Sequence, residues 1–156
     1  MYLIVNQSNF DPVLSPEINR EDAYSMPFQT TKSTKLREFQ YKLLHRRLAT
    51  NTFLFYNVED DTCTFCKTHK EDLSHLFWTC EKTTNFWKKL KLWLISYKAV
   101  LEDYDLLGLR PDKTKCKKQI NFCLQNARYY IYGSAELQTI NLLFNNFCTN
   151  IKHFIV

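Results

Sequence analysis

The stretch Cys63-Thr-Phe-Cys66, followed by His75 and Cys80, decides how this chain folds. Its spacing is C-x2-C-x8-H-x4-C. Two cysteines separated by two residues can direct both sulfurs into one cavity from a tight turn, and zinc takes four such sulfur and nitrogen ligands in a tetrahedron. Because side chains fill all four positions, the pattern predicts a closed, structural Zn²⁺ site. A catalytic zinc keeps one position for water.

His69 is an alternative ligand to His75. It follows Cys66 by only three residues, so the loop between the two ligands is tight. His75 stands between apolar side chains, where a free imidazole needs a partner, and we expect it to bind the metal from a helix through residues 72–80. The remaining alternative, four unrelated buried residues in a reduced protein, is less favoured because this ligand order is a strong short signal.

Composition places the chain among globular proteins. Its 156 residues, 45% hydrophobic and 15% aromatic, are enough for one domain with a core. Three of six cysteines belong to the metal site and no secretory signal begins the chain, which predicts a reducing compartment, nucleus or cytoplasm. The other cysteines, Cys116, Cys123 and Cys148, are then small core residues. No apolar run reaches the length of a membrane span, so we expect no membrane partner.

Upstream of the knuckle (residues 60–82) the sequence predicts an arm and two helices. Residues 1–33 hold three of the four prolines, which favours an irregular arm with at most one short helix near Ile18–Tyr24. Thr34 is predicted to cap a long amphipathic helix that ends at Leu48. Its apolar face comprises Leu36, Phe39, Leu43, Leu44 and Leu48. A short helix at Phe53–Tyr56 follows.

Downstream, three more helices are predicted. The first begins after Thr83 or Thr84, with Phe86, Leu90, Trp93, Leu94 and Tyr97 on one face. Gly133-Ser134 is predicted to end the second and cap the third, which gives an antiparallel hairpin. Their apolar faces are Cys116, Ile120, Cys123, Leu124, Ala127 and Ile131, then Leu137, Ile140, Phe144, Phe147, Ile151 and Phe154. The predicted fold class is all-α: residues 34–156 form a small helical domain, with a CCHC zinc knuckle between helices and a C-terminal antiparallel helical hairpin.

Clustered basic residues indicate phosphate binding. Lys and Arg outnumber Asp and Glu by 21 to 16, and the excess is uneven. Charges opposite an apolar stripe are usually only a solvated face, but beside a zinc knuckle they favour a nucleic-acid surface. The candidate contacts are Lys35, Lys42, Arg46, Arg47, Lys67 and Lys88. Phe65, between the first two ligands, and Trp87, adjacent to lysines, are candidates for stacking on bases, whereas Phe77 and Phe86 are predicted to be core residues.

Nothing in the sequence favours catalysis. The acidic run 59–61 lies in a polar connection, and Cys66 and His75 are assigned to the metal. With only two glycines, no oxyanion-hole loop is visible. We therefore expect neither an enzyme nor a small-molecule substrate.

These motifs resemble the reverse-transcriptase zinc-binding domain found at the C-terminal end of LINE-type, non-LTR retrotransposon open reading frames. The matching stretches are TKLREFQYKLLHRRL at 34–48, Cys63–Cys66, EDLSHLFWTC at 71–80 and Phe86–Trp87. A fainter likeness continues at 127–132 and 152–154. The resemblance implies Cys63, Cys66, His75 and Cys80 as zinc ligands of a CCHC element that follows a reverse transcriptase and helps it hold template RNA or target DNA.

Two departures from the family pattern set further expectations. The chain begins with its own Met and carries no endonuclease or polymerase region, so we expect no such activity here. The short turn at Gly133-Ser134 suggests a decayed or truncated copy. The favoured function is a structural-zinc module of a retrotransposon-derived polyprotein that binds RNA or DNA, with single-stranded RNA preferred. The rivals are a helical scaffold that packs on a reverse transcriptase polypeptide, and a fragment without a selected role.

Overall fold

The computed structural model describes residues 20–52, 60–97, 115–137 and 144–155. They contain α1 (Arg20–Thr30), α2 (Thr34–Leu44), a π-helical turn (His75–Thr79), α3 (Glu81–Ile95), α4 (Lys115–Glu136) and α5 (Phe144–Ile155). In these ranges the only β pairing is one antiparallel bridge, Thr62 to Lys70. The all-α prediction, with a Cys/His cluster between helices, is confirmed. No helix of this part of the chain is long and apolar enough to cross a bilayer.

Helix α1 is longer than the sequence indicated. The short helix expected near Ile18–Tyr24 extends to Thr30 and contains Pro27, which has no N–H to donate. Beyond the proline, the Thr31 N–H donates to the Pro27 carbonyl at 3.1 Å. Because α1 packs on α2 and α4, residues 20–30 belong to the helical body, and the irregular-arm prediction is wrong for them. Residues 1–19 lie outside the described ranges, as does the predicted helix at 53–56.

Helix α2 begins one residue earlier than predicted and ends four residues earlier. Ser33 is its N-cap, and its hydroxyl accepts from the Leu36 N–H. At the C-terminus, Arg46 adopts a left-handed conformation (φ 56°). The N–H groups of Arg46 and Arg47 then donate to the carbonyls of Leu43 and Lys42, the paired bonds of a Schellman motif. The prediction that the helix continues to Leu48 is wrong, because this motif ends α2 at Leu44 although no glycine is present.

Helix α3 also starts before its predicted cap. It begins at Glu81 with Cys80 at the N-cap position. The predicted caps have another role: the hydroxyls of Thr83 and Thr84 donate to the carbonyls of Leu76 and Trp78. These bonds fix the start of α3 against the π-helical turn. Of its predicted apolar face, Trp93 is half-buried and Tyr97 is exposed.

The predicted turn at Gly133-Ser134 is wrong. Helix α4 continues through both residues to Glu136, and space around Gly133 is open enough for a Cβ. The inference of a shortened, decayed turn therefore has no basis. Helices α4 and α5 pack together, with the rings of Tyr130 and Phe147 5.6 Å apart. Residues 138–143 lie outside the described ranges, so the antiparallel hairpin stays a prediction.

One hydrophobic core joins the knuckle to four helices. Buried side chains of α2, the π-helical turn, α3, α4 and α5 form a single cluster that includes the ligand residues Cys63 and Cys80. Of the other cysteines, Cys123 is buried in it and Cys148 is half-buried. The side chain of Cys116 lies outside the described part. The metal-binding residues are thus part of the core and not an appendage.

Candidate metal centre

A small hairpin positions the first two cysteines. Next to the Thr62–Lys70 bridge, the Cys63 N–H donates to the His69 carbonyl at 2.7 Å. Between them Lys67 takes a left-handed conformation (φ 58°), and its N–H donates to the Cys63 carbonyl at 3.0 Å. This reversal of the chain at Lys67 places Cys66 beside Cys63.

The π-helical turn positions the other two ligands. The Cys80 N–H donates to the His75 carbonyl, five residues earlier, at 2.9 Å. In an α-helix, residues five apart point about 140° away from each other, at about 100° per residue. A π turn contains one more residue, which brings residues i and i+5 onto one side. The Asp72 carboxylate accepts from the His75 N–H at 2.6 Å and fixes the start of the turn.

The geometry of the four side chains fits a tetrahedral metal ion. The ligand atoms of Cys63, Cys66, His75 and Cys80 all lie within 4.8 Å of one another. The Sγ atoms of Cys63 and Cys80 are 3.8 Å apart, and Cys66 Sγ is 3.3 Å from His75 Nε2. With zinc–sulfur bonds of about 2.3 Å, a tetrahedral site places two sulfurs about 3.8 Å apart. This separation is far too long for a disulfide.

Hydrogen bonds give the three cysteines different pKa values. The Cys63 thiol donates to Cys80, which raises the pKa of Cys63, as does its burial. The same bond, with backbone N–H groups at the start of α3, lowers the pKa of Cys80 to about 6 despite burial. At Cys66 burial opposes ionisation, but the Thr68 hydroxyl and N–H and two neighbouring histidines lower its pKa to about 5. Thiolate, the form that binds a metal, is therefore favoured at Cys66 and Cys80.

The Thr79 hydroxyl orients the His75 ring, and the His69 ring stacks on it with a centroid distance of 5.1 Å. Its Nε2 faces Cys66, and its Nδ1 lies 3.1 Å from Thr79 Oγ1. With Nε2 bound to a metal, Nδ1 carries the proton and donates it to Thr79. His69 lies outside the four-residue group. Its Nδ1 is 3.9 Å from Cys66 Sγ and contacts the Thr68 hydroxyl at 2.8 Å.

A buried carboxylate that the sequence did not indicate supports the knuckle. Glu71 is only 3% exposed. Its two oxygens accept from the N–H groups of Asn51 and Thr64 at 3.0 and 2.6 Å. The Asn51 amide also donates to the Thr62 carbonyl. The chain just after α2 is thereby joined to the knuckle. An acidic residue in a polar stretch of sequence gives no indication that it is buried. Buried N–H groups do, however, generally require hydrogen-bond acceptors such as this carboxylate.

Two predicted nucleic-acid contacts are wrong. Phe65 and Trp87 are 2% and 3% exposed, so neither ring offers a face to a base. Phe65 lies in the core among the ligand residues. Trp87 packs against Trp78, with ring centroids 5.9 Å apart, and its Nε1 donates to the Phe77 carbonyl at 2.7 Å. Neither the place of Phe65 between two ligands nor the lysines next to Trp87 exposes the ring, because both residues fall on core-facing positions.

The predicted basic contacts are mostly exposed. Arg46, in the left-handed position, is half-buried. Lys42 pairs with Glu38 at 2.7 Å, with both side chains about half exposed, and such pairs contribute little to stability. The exposed members of the set are Lys35, Lys42, Arg47, Lys67 and Lys88.

Comparison with known proteins agrees with this geometry. No curated protein and no solved structure matches the chain. A family described as "zinc-binding in reverse transcriptase" matches residues 7–87, just over half of the chain. The match contains all four clustered ligands and ends within α3, so the fainter likeness at 127–132 and 152–154 lies beyond it. The chain therefore belongs to the family of zinc-binding regions of reverse transcriptases.

Proposed function

We propose that this chain is a structural-zinc, nucleic-acid-binding module derived from a retrotransposon reverse transcriptase polyprotein. The metal is Zn²⁺, because three thiolates and one imidazole in a closed tetrahedral set match its ligand preference. The module is accessory: its four ligands occupy every position of the site, which leaves none for a reacting water. Its compartment is the nucleus or cytoplasm, where these thiols stay reduced.

The distribution of charge carries the proposal. Residues 31–50, which include α2 and its C-terminal turn, contain six Lys or Arg and one carboxylate. Their net charge of +5 equals that of the whole chain. The knuckle, residues 60–82, holds three lysines and five carboxylates, and Lys70 pairs with Asp61 at 3.1 Å. The expected basic surface is therefore centred on α2 rather than on the knuckle itself.

The metal site supports this basic surface from behind. The apolar face of α2 packs in the core with Cys63 and Cys80. The segment after α2 is held by Glu71 and by the Tyr132 hydroxyl, which donates to the Ala49 carbonyl at 3.2 Å. Zinc thus fixes the positions of these Lys and Arg side chains, and the side chains bind the phosphates of single-stranded RNA or of DNA.

The test is salt-dependent binding of labelled single-stranded RNA to the zinc-loaded chain, followed by fluorescence anisotropy. We expect affinity to fall steeply with salt as counterions are released. Replacing Lys35 and Arg47 by Ala should reduce the slope of log affinity against log salt by about 1.4, since each phosphate contact to a single strand contributes about 0.7.

The matched control is Lys118→Ala with Lys152→Ala. These lysines are also exposed but lie on α4 and α5, and the pair lowers the net charge equally. An unchanged slope is expected. Equal effects of the two pairs, or no binding by the zinc-loaded wild type, would contradict the proposal and favour a helical scaffold that packs on a polymerase.

A further inference from the structure

A groove between α1 and α2 has three aromatic side chains among its eight lining residues. It has a volume of about 320 Å³, at the lower end of the range for small-ligand sites. Its lining includes Tyr24 and Phe28 from α1 and Tyr41 from α2. These rings are 41%, 66% and 49% exposed, whereas most aromatic side chains of the described core are buried. Because three exposed rings line the same groove, they differ from hydrophobic residues that are scattered singly over a protein surface.

Arg37 and His45 pack against these rings. The Arg37 guanidinium lies over the Phe28 ring, 4.9 Å from its centroid. Its Nε donates to the Thr31 carbonyl at 2.8 Å, which fixes its position. The His45 ring lies 4.2 Å from that of Tyr41 and 5.3 Å from that of Tyr24, and so links the two helices.

The charge of the surroundings indicates the occupant. Five of the eight residues that line the groove belong to the +5 segment 31–50, and its only lining carboxylate in the described residues, Glu38, is paired with Lys42. An apolar groove for a protein helix has no need of this excess of positive charge. Exposed aromatic rings inside a positive surface are the combination that binds single-stranded nucleic acid, where bases stack and phosphates pair with cations.

We infer that the α1–α2 groove stacks bases of single-stranded RNA on Tyr24, Phe28 and Tyr41. This inference rests on the proposed function and supplies the stacking surface that Phe65 and Trp87 do not provide. Stacking of this kind tolerates any base sequence, because every base has a π face. The groove therefore favours unpaired strands over duplexes, whose bases are already stacked on each other.

The experiment uses the full zinc-loaded chain and two probes of equal length: a labelled oligouridine and an abasic ribose-phosphate strand. In the variant Phe28→Leu with Tyr41→Leu, apolar area remains but the π faces are lost. We expect affinity for oligouridine to fall about tenfold. Affinity for the abasic strand and the salt slope should not change, since the phosphate contacts remain.

Two controls make the result specific. Tyr41→Phe keeps the ring and should bind oligouridine as the wild type does. Tyr97→Leu removes a tyrosine that is 39% exposed on the last turn after α3, outside the groove lining, and should also have no effect. Circular dichroism of each variant checks that the helices are intact.

The outcomes separate this inference from the proposed function. If the double leucine variant binds oligouridine with unchanged affinity and salt slope, the groove is not a stacking surface, although α2 still binds phosphates. A groove that serves a protein partner gives that same result and overturns the inference. If the wild type binds neither probe, the proposed function and the inference both fail.

Discussion

At the scale of single residues, His75 depends on a neighbour that is not a ligand. Thr79 shares its π turn and holds Nδ1 at 3.1 Å, which directs Nε2 towards Cys66 at 3.3 Å. A hydrogen-bonded partner of this kind fixes the ring orientation and the tautomer of a metal-binding histidine.

Replacing Thr79 by Val should weaken metal binding by about tenfold, because loss of such a partner typically costs 10–100-fold. Thr79 is exposed, so the change leaves the core intact. Competition with a chromophoric chelator measures the affinity. Thr79→Ser retains the hydroxyl and is the matched control. Equal metal affinity of the valine and serine variants would show that the hydrogen bond does not orient His75.

The four ligands were predictable from sequence, whereas their supporting residues were not. Two cysteines with two residues between them restrict the geometry of the site so strongly that few other arrangements satisfy them. Glu71 has no such signature, since its burial depends on N–H groups of residues 51 and 64, which are distant in sequence. The exposure of Phe65 was wrongly predicted for a related reason. A residue between two ligands points to solvent or to core according to packing that local sequence does not encode.

At the scale of elements, the helices were predicted better than their ends. Apolar periodicity indicates the body of α2, but its C-terminus depends on a left-handed residue, and Arg46 occupies the place usually taken by glycine. The opposite holds at Gly133-Ser134: these two residues are typical of a helix end, but α4 continues through them. Glycine in a helix costs only about 1 kcal/mol relative to alanine, and burial of the rest of α4 outweighs that cost.

Glu71 connects the chain after α2 with the knuckle, and Glu71→Gln should destabilise the fold by about 1–3 kcal/mol. An amide has one oxygen, so its NH₂ group would face a backbone N–H that has lost its acceptor. Chemical denaturation of the zinc-loaded protein measures the loss. Hydrogen exchange should be faster at the amides of Asn51 and Thr64, which donate to Glu71.

The matched control is Glu81→Gln, which makes the same chemical change at an exposed position in the first turn of α3. It should alter stability by no more than about 0.5 kcal/mol. Equal losses in the two variants would mean that the buried carboxylate does not hold the segments together.

At the scale of the whole molecule, the metal site and the helical core form one unit. Ligand cysteines share a cluster with residues of α2, α3, α4 and α5, and the π-helical turn packs directly on α4. The all-α class and the position of the site between helices followed from sequence. The continuity of the core did not, because it depends on pairs distant in the chain, such as Phe39 and Tyr132, whose rings are 5.8 Å apart.

Removing the metal with a chelator should therefore destabilise more than the knuckle. Zinc contributes on the order of 10 kcal/mol to the folding of small finger domains. We expect hydrogen exchange after chelation to accelerate first in residues 60–82 and also at the buried α4 positions Ala127 and Ile131. Cys123→Ser, which alters a buried cysteine outside the ligand set, should retain stoichiometric metal. Unchanged protection of α4 in the chelated protein would contradict a shared core.

The short span of the knuckle has a consequence for the order of assembly during synthesis. All four ligands lie between residues 63 and 80, whereas α4 does not begin until Lys115. Closing so short a loop costs little entropy, and chains emerge from the ribosome N-terminus first. The nascent chain can therefore load its metal while α4 is still inside the ribosome, and the metal-bound knuckle then offers a preformed apolar surface on which α4 docks as it emerges.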